Sequence, residues 1–147
     1  MTYQHILVAV DESPISYAAV EASLALAKSL GSQVTLTTVL AVDPFVGVDF
    51  YKLAPSITEY VMQAQKNAEA QLAEIQLAFV RDGIPVNSKI IHGQEPAEGI
   101  LLAADEVGAD LIMMGSHGRK GLKKIILGSV AQSVLNISPL PVMIIKQ

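Results

Sequence analysis

The chain has no cysteine among its 147 residues, which excludes disulfides and thiolate metal sites and fits a reducing compartment. Charge is scarce too. Charged residues make up 16% against 51% hydrophobic, a balance that excludes a disordered chain and predicts a well-packed core. Long apolar runs are missing: the run near the N-terminus, Ile6 to Val10, covers five residues, where a membrane-spanning helix needs about 20. Met1-Thr2-Tyr3-Gln4-His5 lacks a basic segment and a cleavage-like site. No secretory signal is therefore expected, and the expected location is the cytoplasm. No Gly-Lys pair occurs anywhere, which excludes the Gly-x4-Gly-Lys-Ser/Thr phosphate loop. The net charge of −4 argues against a nucleic-acid partner.

What is present reads as one domain over residues 1–147, large enough to bury roughly 70% of its unfolded surface. Ile6 to Val10 is a β-branched apolar run that predicts a strand buried on both faces. Ser13-Pro14 predicts a helix start, with a hydroxyl at the N-cap and proline at the first helical position. That helix runs through Ala18, Ala22, Ala25, Leu26 and Leu30 and stops at Gly31. Val34 to Leu40 is a second strand, followed by a loop bearing Asp43-Pro44, Phe45, Gly47, Phe50 and Tyr51.

From Ser56, apolar residues at Ile57, Val61, Ala64, Ala68, Leu72, Ile75 and Phe79 recur every three or four positions. They predict a long amphipathic helix that ends at Gly83. Val86 to Ile91 predicts a third strand, polar enough for a sheet edge. Pro96 opens a helix with Ile100, Leu101 and Ala104 inward. Leu111 to Met114 is a fourth strand, Ser129 to Ile137 a last helix, and Val142 to Ile145 a fifth strand. Strict alternation of strand and helix predicts a mostly parallel α/β sheet.

The stretch that bears on chemistry is Gly115-Ser116-His117-Gly118-Arg119-Lys120-Gly121, followed by Gly128-Ser129-Val130. It begins where the fourth strand ends, the edge at which open α/β sheets bind ligands. Gly115 and Gly118 let the backbone turn and approach a ligand closely. Gly128-Ser129 opens the last helix, whose N–H groups and dipole favour a phosphate. Two glycine turns flanking one concavity suggest a polyphosphate cradle; the alternative is that these glycines only shape turns. Arg119, Lys120, Lys123 and Lys124 form a local basic patch suited to a small anion, or else a solvated face.

Gly115-x2-Gly118-x9-Gly128-Ser129 resembles the nucleotide-binding signature of the universal stress protein family. Ile6 to Asp11 is similar to that family's opening strand, and Gly108-Ala109-Asp110-Leu111-Ile112 to the segment before its loop. Gly128 to Ala131 and Ser138-Pro139-Leu140-Pro141-Val142 are similar to its close. The resemblance spans the chain and is most specific in the closing third.

It implies a single open five-stranded parallel sheet of order 3-2-1-4-5 with helices on both faces, Rossmann-like, and a crevice between the ends of strands 1 and 4. Position by position it implies that Ala9, Val10 and Asp11 line the adenosine, with Asp11 on the ribose or metal side, and that Val39 meets the adenine. Met114, Gly115, Gly118 and Arg119 fall on the ribose and phosphate loop. Gly128, Ser129 and Val130 are the phosphate-binding helix start. The implied cofactor is ATP, with Mg²⁺ or Mn²⁺ as its divalent ion. Ala131 departs from binders that carry a hydroxyl there, which leaves a γ-phosphate contact unsupplied. The family also pairs its last strand, here Val142 to Ile145, with a second copy as a homodimer.

No base-plus-nucleophile pair stands out, so no catalytic residue is assigned. Ser116 lies in Gly-Ser-His-Gly rather than Gly-x-Ser-x-Gly. His117 is a phosphate neighbour or a solvent-facing loop residue. His5 and His92 read as structural, and no metal-ligand cluster is apparent. The expected function is an ATP-binding regulatory module of the stress response. Its alternatives are a slow Mg²⁺-dependent ATPase or phosphotransferase, and a dimeric interaction protein holding AMP or cyclic AMP.

Overall fold

The computed structural model describes residues 2–41, 55–117 and 127–146, with the backbone alone for 55–58. The elements are β1 (His5–Ala9), α1 (Pro14–Leu30), β2 (Gln33–Leu40), α2 (Pro55–Arg81), β3 (Val86–His92), α3 (Pro96–Val107), β4 (Leu111–Gly115), α4 (Ser129–Ile137) and β5 (Val142–Ile145). The strands form one parallel sheet of order β3-β2-β1-β4-β5. Both the alternation and the implied strand order are found. The polar third strand lies at an edge, as its composition predicts.

Two apolar layers sandwich the sheet, and strand alternation assigns each side chain to one of them. Ile6, Val8 and Val10 of the first strand segment join Val34, Leu36, Leu111 and Met113 under α1 and α2, where Leu72, Ile75 and Phe79 close the layer. Leu7, Ile112 and Met114 face α3 and α4, against Ile100, Ala104, Ala131 and Val134. Ile6, Leu7 and Val8 are fully buried, so the central strand is apolar on both sides for a direct reason: it has no solvent face.

α1 is rotated relative to the line Ala18–Ala22–Ala25. Its buried residues are Ile15, Ser16, Ala19, Val20, Ser23 and Ala27. The inner face mixes Ile15 and Val20 with the smaller Ser16, Ala19, Ser23 and Ala27, and the Ser23 hydroxyl is satisfied within the helix by donating to the Val20 carbonyl at 2.7 Å. Leu26 packs at the border of this face, partly buried. The loop expected around Phe45, Gly47, Phe50 and Tyr51 lies outside the described residues.

The first strand is clamped at both ends. At its start, Asp110 accepts the N–H groups of Gln4 and His5, each at 2.9 Å, and donates its own N–H to the His5 carbonyl at 2.9 Å. Here the His5 ring is bonded through Nε2 to Thr35 Oγ1 at 2.7 Å. Burial lowers its pKa below the usual histidine value, against the opposing influence of the Asp110 charge and a backbone hydrogen bond with Val107. At the other end, Val10 donates its N–H to the Thr37 carbonyl at 2.8 Å and accepts the Thr38 hydroxyl at 3.0 Å.

Candidate functional site at the ends of β1 and β4

Register pairs Val8 with Met113, so the chain leaves both β1 and β4 at the same edge of the sheet, where strand order reverses. Asp11 follows β1 and is fixed through three of its atoms. Its N–H donates to Ser16 Oγ at 2.9 Å, and its carbonyl accepts Gln71 Nε2 at 2.9 Å. Its Oδ1 accepts the Ser13 N–H at 2.8 Å together with the Ser13 hydroxyl. Oδ2 takes no hydrogen bond from a described residue.

Ser13 occupies the N-cap of α1 with Pro14 next to it, as the sequence predicts, but its side chain makes no capping bond to the helix. The hydroxyl turns back to Asp11 instead. A carboxylate acceptor makes a charge-assisted bond roughly twice as strong as a neutral one, which accounts for the choice.

Gly115 and Gly128, the described glycines of the candidate loop, have packing roles that the sequence did not disclose. A Cβ on Gly115 would stand 2.9 Å from both Cγ1 and Cγ2 of Ile15, so the first turn of α1 sits directly on the end of β4. A Cβ on Gly128 would stand 2.9 Å from the Cα of His117 and 3.1 Å from the Ser116 carbonyl oxygen. Gly128 also donates its N–H to that carbonyl at 2.6 Å. The turn leaving β4 and the start of α4 are therefore joined backbone to backbone. Both glycines permit close approach, as expected, but the described atoms that approach are the protein's own.

α4 begins at Gly128 as N-cap, with no side-chain cap. Its first internal bond runs from the Gln132 N–H to the Gly128 carbonyl at 2.9 Å. The N–H groups of Ser129, Val130 and Ala131 precede that bond and have no acceptor within the helix, the arrangement that attracts an anion. Ser129 is exposed and Val130 half-buried. Ala131 is buried in the layer facing α3 and α4, so no hydroxyl is offered there.

Ala9, Val39, Val130 and Leu127 are partly buried on the α3–α4 side, beside the buried Met114. Four of the implied contacts, Ala9, Val39, Met114 and Val130, thus belong to one apolar cluster. Val10 differs: its side chain is buried in the opposite layer, and both its backbone polar groups are used by β2. Gly118 and Arg119, together with Lys120, Lys123 and Lys124, lie outside the described residues. His117 is half-buried, and its Nδ1 lies 3.1 Å from Ser116 Oγ. Among the described residues no three His, Cys, Asp or Glu side chains are grouped as a metal site.

Sequence reasoning missed the supports of Asp11. Asp11-x-Ser13 is a legible turn pattern, since Asp commonly bonds the backbone two residues on. Gln71 gives no such signal, because 60 residues separate it from its partner.

The universal stress protein family profile matches residues 2–146. The chain belongs to that family. Universal stress protein MJ0531 of Methanocaldococcus jannaschii is 30% identical over 99% of this chain and 83% of its own. Universal stress protein YxiE of Bacillus subtilis is 30% identical over 98% of this chain and 99% of its own. Among solved structures, that of MJ0577 superposes with a TM-score of 0.84 at 28% identity, covering 100% of this chain and 98% of that one. The universal stress protein of Archaeoglobus fulgidus in complex with dAMP gives 0.66 at 25% identity, covering 99% of this chain and 100% of that one. No helix among the described residues is long and apolar enough to cross a membrane.

Proposed function

We propose that this family member is a single-domain, cytoplasmic ATP-binding protein whose bound nucleotide sets one conformation or assembly in a stress response. The observation that carries the reading is the junction of Gly128 with Ser116 and His117. It brings the uncapped start of α4 to the end of β4, against the same first turn of α1 that holds Asp11. Phosphates would meet the N–H groups of Ser129, Val130 and Ala131. The adenine would lie on the apolar surface of Ala9, Val39 and Val130, and the ribose near Asp11 Oδ2. Gly115, Gly118 and Arg119 complete the proposed set, and Val10 supports the wall from behind. A divalent ion, Mg²⁺ or Mn²⁺, would arrive with the phosphates. The dAMP complex of the Archaeoglobus relative supports an adenine nucleotide as the ligand class.

Binding is favoured over turnover. Ser116 and His117 bond to each other, and one oxygen of Asp11 is committed to Ser13. β5 is an edge strand of the described sheet, with Met143, Leu135 and Ile137 exposed around it. These features support a homodimer through Val142–Ile145.

Denaturing protein purified without added nucleotide and identifying what is released tests the reading. ATP in the supernatant, and calorimetric ATP binding to the stripped protein, are expected. A stripped protein with no measurable ATP affinity would reject it.

A further inference from the structure

Gln71 lies in α2 at the border of that helix's buried face, whose packing residues are Ala68, Leu72 and Ile75. Its amide reaches a chain segment 60 residues earlier, donating to the Asp11 carbonyl at 2.9 Å and lying 3.5 Å from the Tyr17 hydroxyl. Asp11 is only half-buried, so water could satisfy that carbonyl with little loss of free energy. What water cannot do is fix its direction. The other bonds to Asp11 all come from the adjoining start of α1, from Ser13 and Ser16. Gln71 is therefore the sole side-chain hydrogen bond from a distant described element that restrains this residue. Together the N–H, the carbonyl and Oδ1 fix the peptides on both sides of Asp11 and the rotation of its carboxylate, and this aims Oδ2.

We infer that Gln71 is a positioning residue: from α2 it holds the Asp11 peptide so that Oδ2 accepts a hydroxyl of the nucleotide's sugar. The inference rests on the nucleotide reading above. A preorganised acceptor does not have to be ordered when ligand arrives, so affinity is gained without a new contact.

The test compares wild type with Gln71→Met, of nearly equal length but without a donor, titrated calorimetrically with ATP and with 2′,3′-dideoxy-ATP. Gln71→Met is expected to weaken ATP by roughly five- to tenfold, the usual scale of one lost hydrogen bond. Affinity for the dideoxy analogue, which has no hydroxyl to offer Oδ2, is expected to stay within about twofold, and so is the ligand-free melting curve within experimental scatter. Gln71→Leu repeats the measurement should the methionine variant unfold. Equal ATP affinity in wild type and variant, or equal losses for both ligands, overturns the positioning role alone. A wild type that binds neither ligand overturns the nucleotide reading and this inference with it.

Discussion

Ile15 rests on Gly115, with both of its γ-carbons 2.9 Å from where a Cβ would stand. Ile15 is 1% exposed, so neither partner has room to withdraw. Gly115→Ala is expected to destabilise the protein by about 1–3 kcal/mol, the usual cost of inserting a methyl group into a close-packed site. Urea unfolding measures it. In an Ile15→Ala background, which lacks both γ-carbons, Gly115→Ala should cost less, because two residues in contact do not act additively.

Gly128 meets backbone rather than side chain, and its neighbour cannot rotate away. Gly128→Val is therefore expected to lower the melting temperature and weaken ATP binding together. A glycine that only clears space for phosphate would give a different result, loss of ligand with an intact fold. Parallel thermal melts and calorimetry distinguish the two. An unchanged melting temperature would show that the His117 backbone yields.

The carboxylate of Asp110 serves two strand-initiating amides, those of Gln4 and His5. Asp110→Ala removes both acceptors and is expected to cost roughly 1.5–3 kcal/mol, the range for hydrogen bonds to a charged group. Amide exchange should accelerate most at Gln4 and His5. Acceleration spread evenly over the sheet would contradict this local account.

Buried His5 gives stability a pH dependence whose sign is fixed. Above the ordinary value of 6.5 the ring is neutral in both states, and stability is full. Below it the unfolded chain takes up a proton that the folded chain, with its lowered pKa, does not. Stability thus falls as pH drops from 6.5 toward the folded value and levels off beneath it, with a slope of at most about 1.4 kcal/mol per pH unit. Unfolding midpoints of wild type and His5→Gln between neutral and mildly acid pH provide the check. The difference between them should shrink or reverse on acidification.

Much of the fold was legible because its signals are local. The Ile6–Val10 run, Ser13-Pro14 and the repeat from Ile57 to Phe79 each depend on neighbours within a few positions, and their elements are found. The strand order came from the resemblance to the family, since nothing in the pattern of Val34–Leu40 or Leu111–Met114 specifies which strand each will join. The rotation of α1 was not legible because Ala, Ser and Leu alternate around it, and the choice of face depends on how near the helix comes to the sheet. At the site, residue identity was readable and role was not. Gly115 and Gly128 stand where glycine was expected, yet Ile15 and His117 explain them as fully as any ligand does. Gln71 was invisible, because a hydrogen bond across 60 residues leaves no trace in spacing.

The contacts at His5 and those at Asp11 lie at opposite ends of β1, a separation of about 20 Å. At that range substitutions add independently, so the floor of the sheet and its mouth are separate dials. Family members could drift in heat or acid tolerance through the floor while the mouth stays unaltered. An engineer could raise the melting point there without retuning what the rim holds.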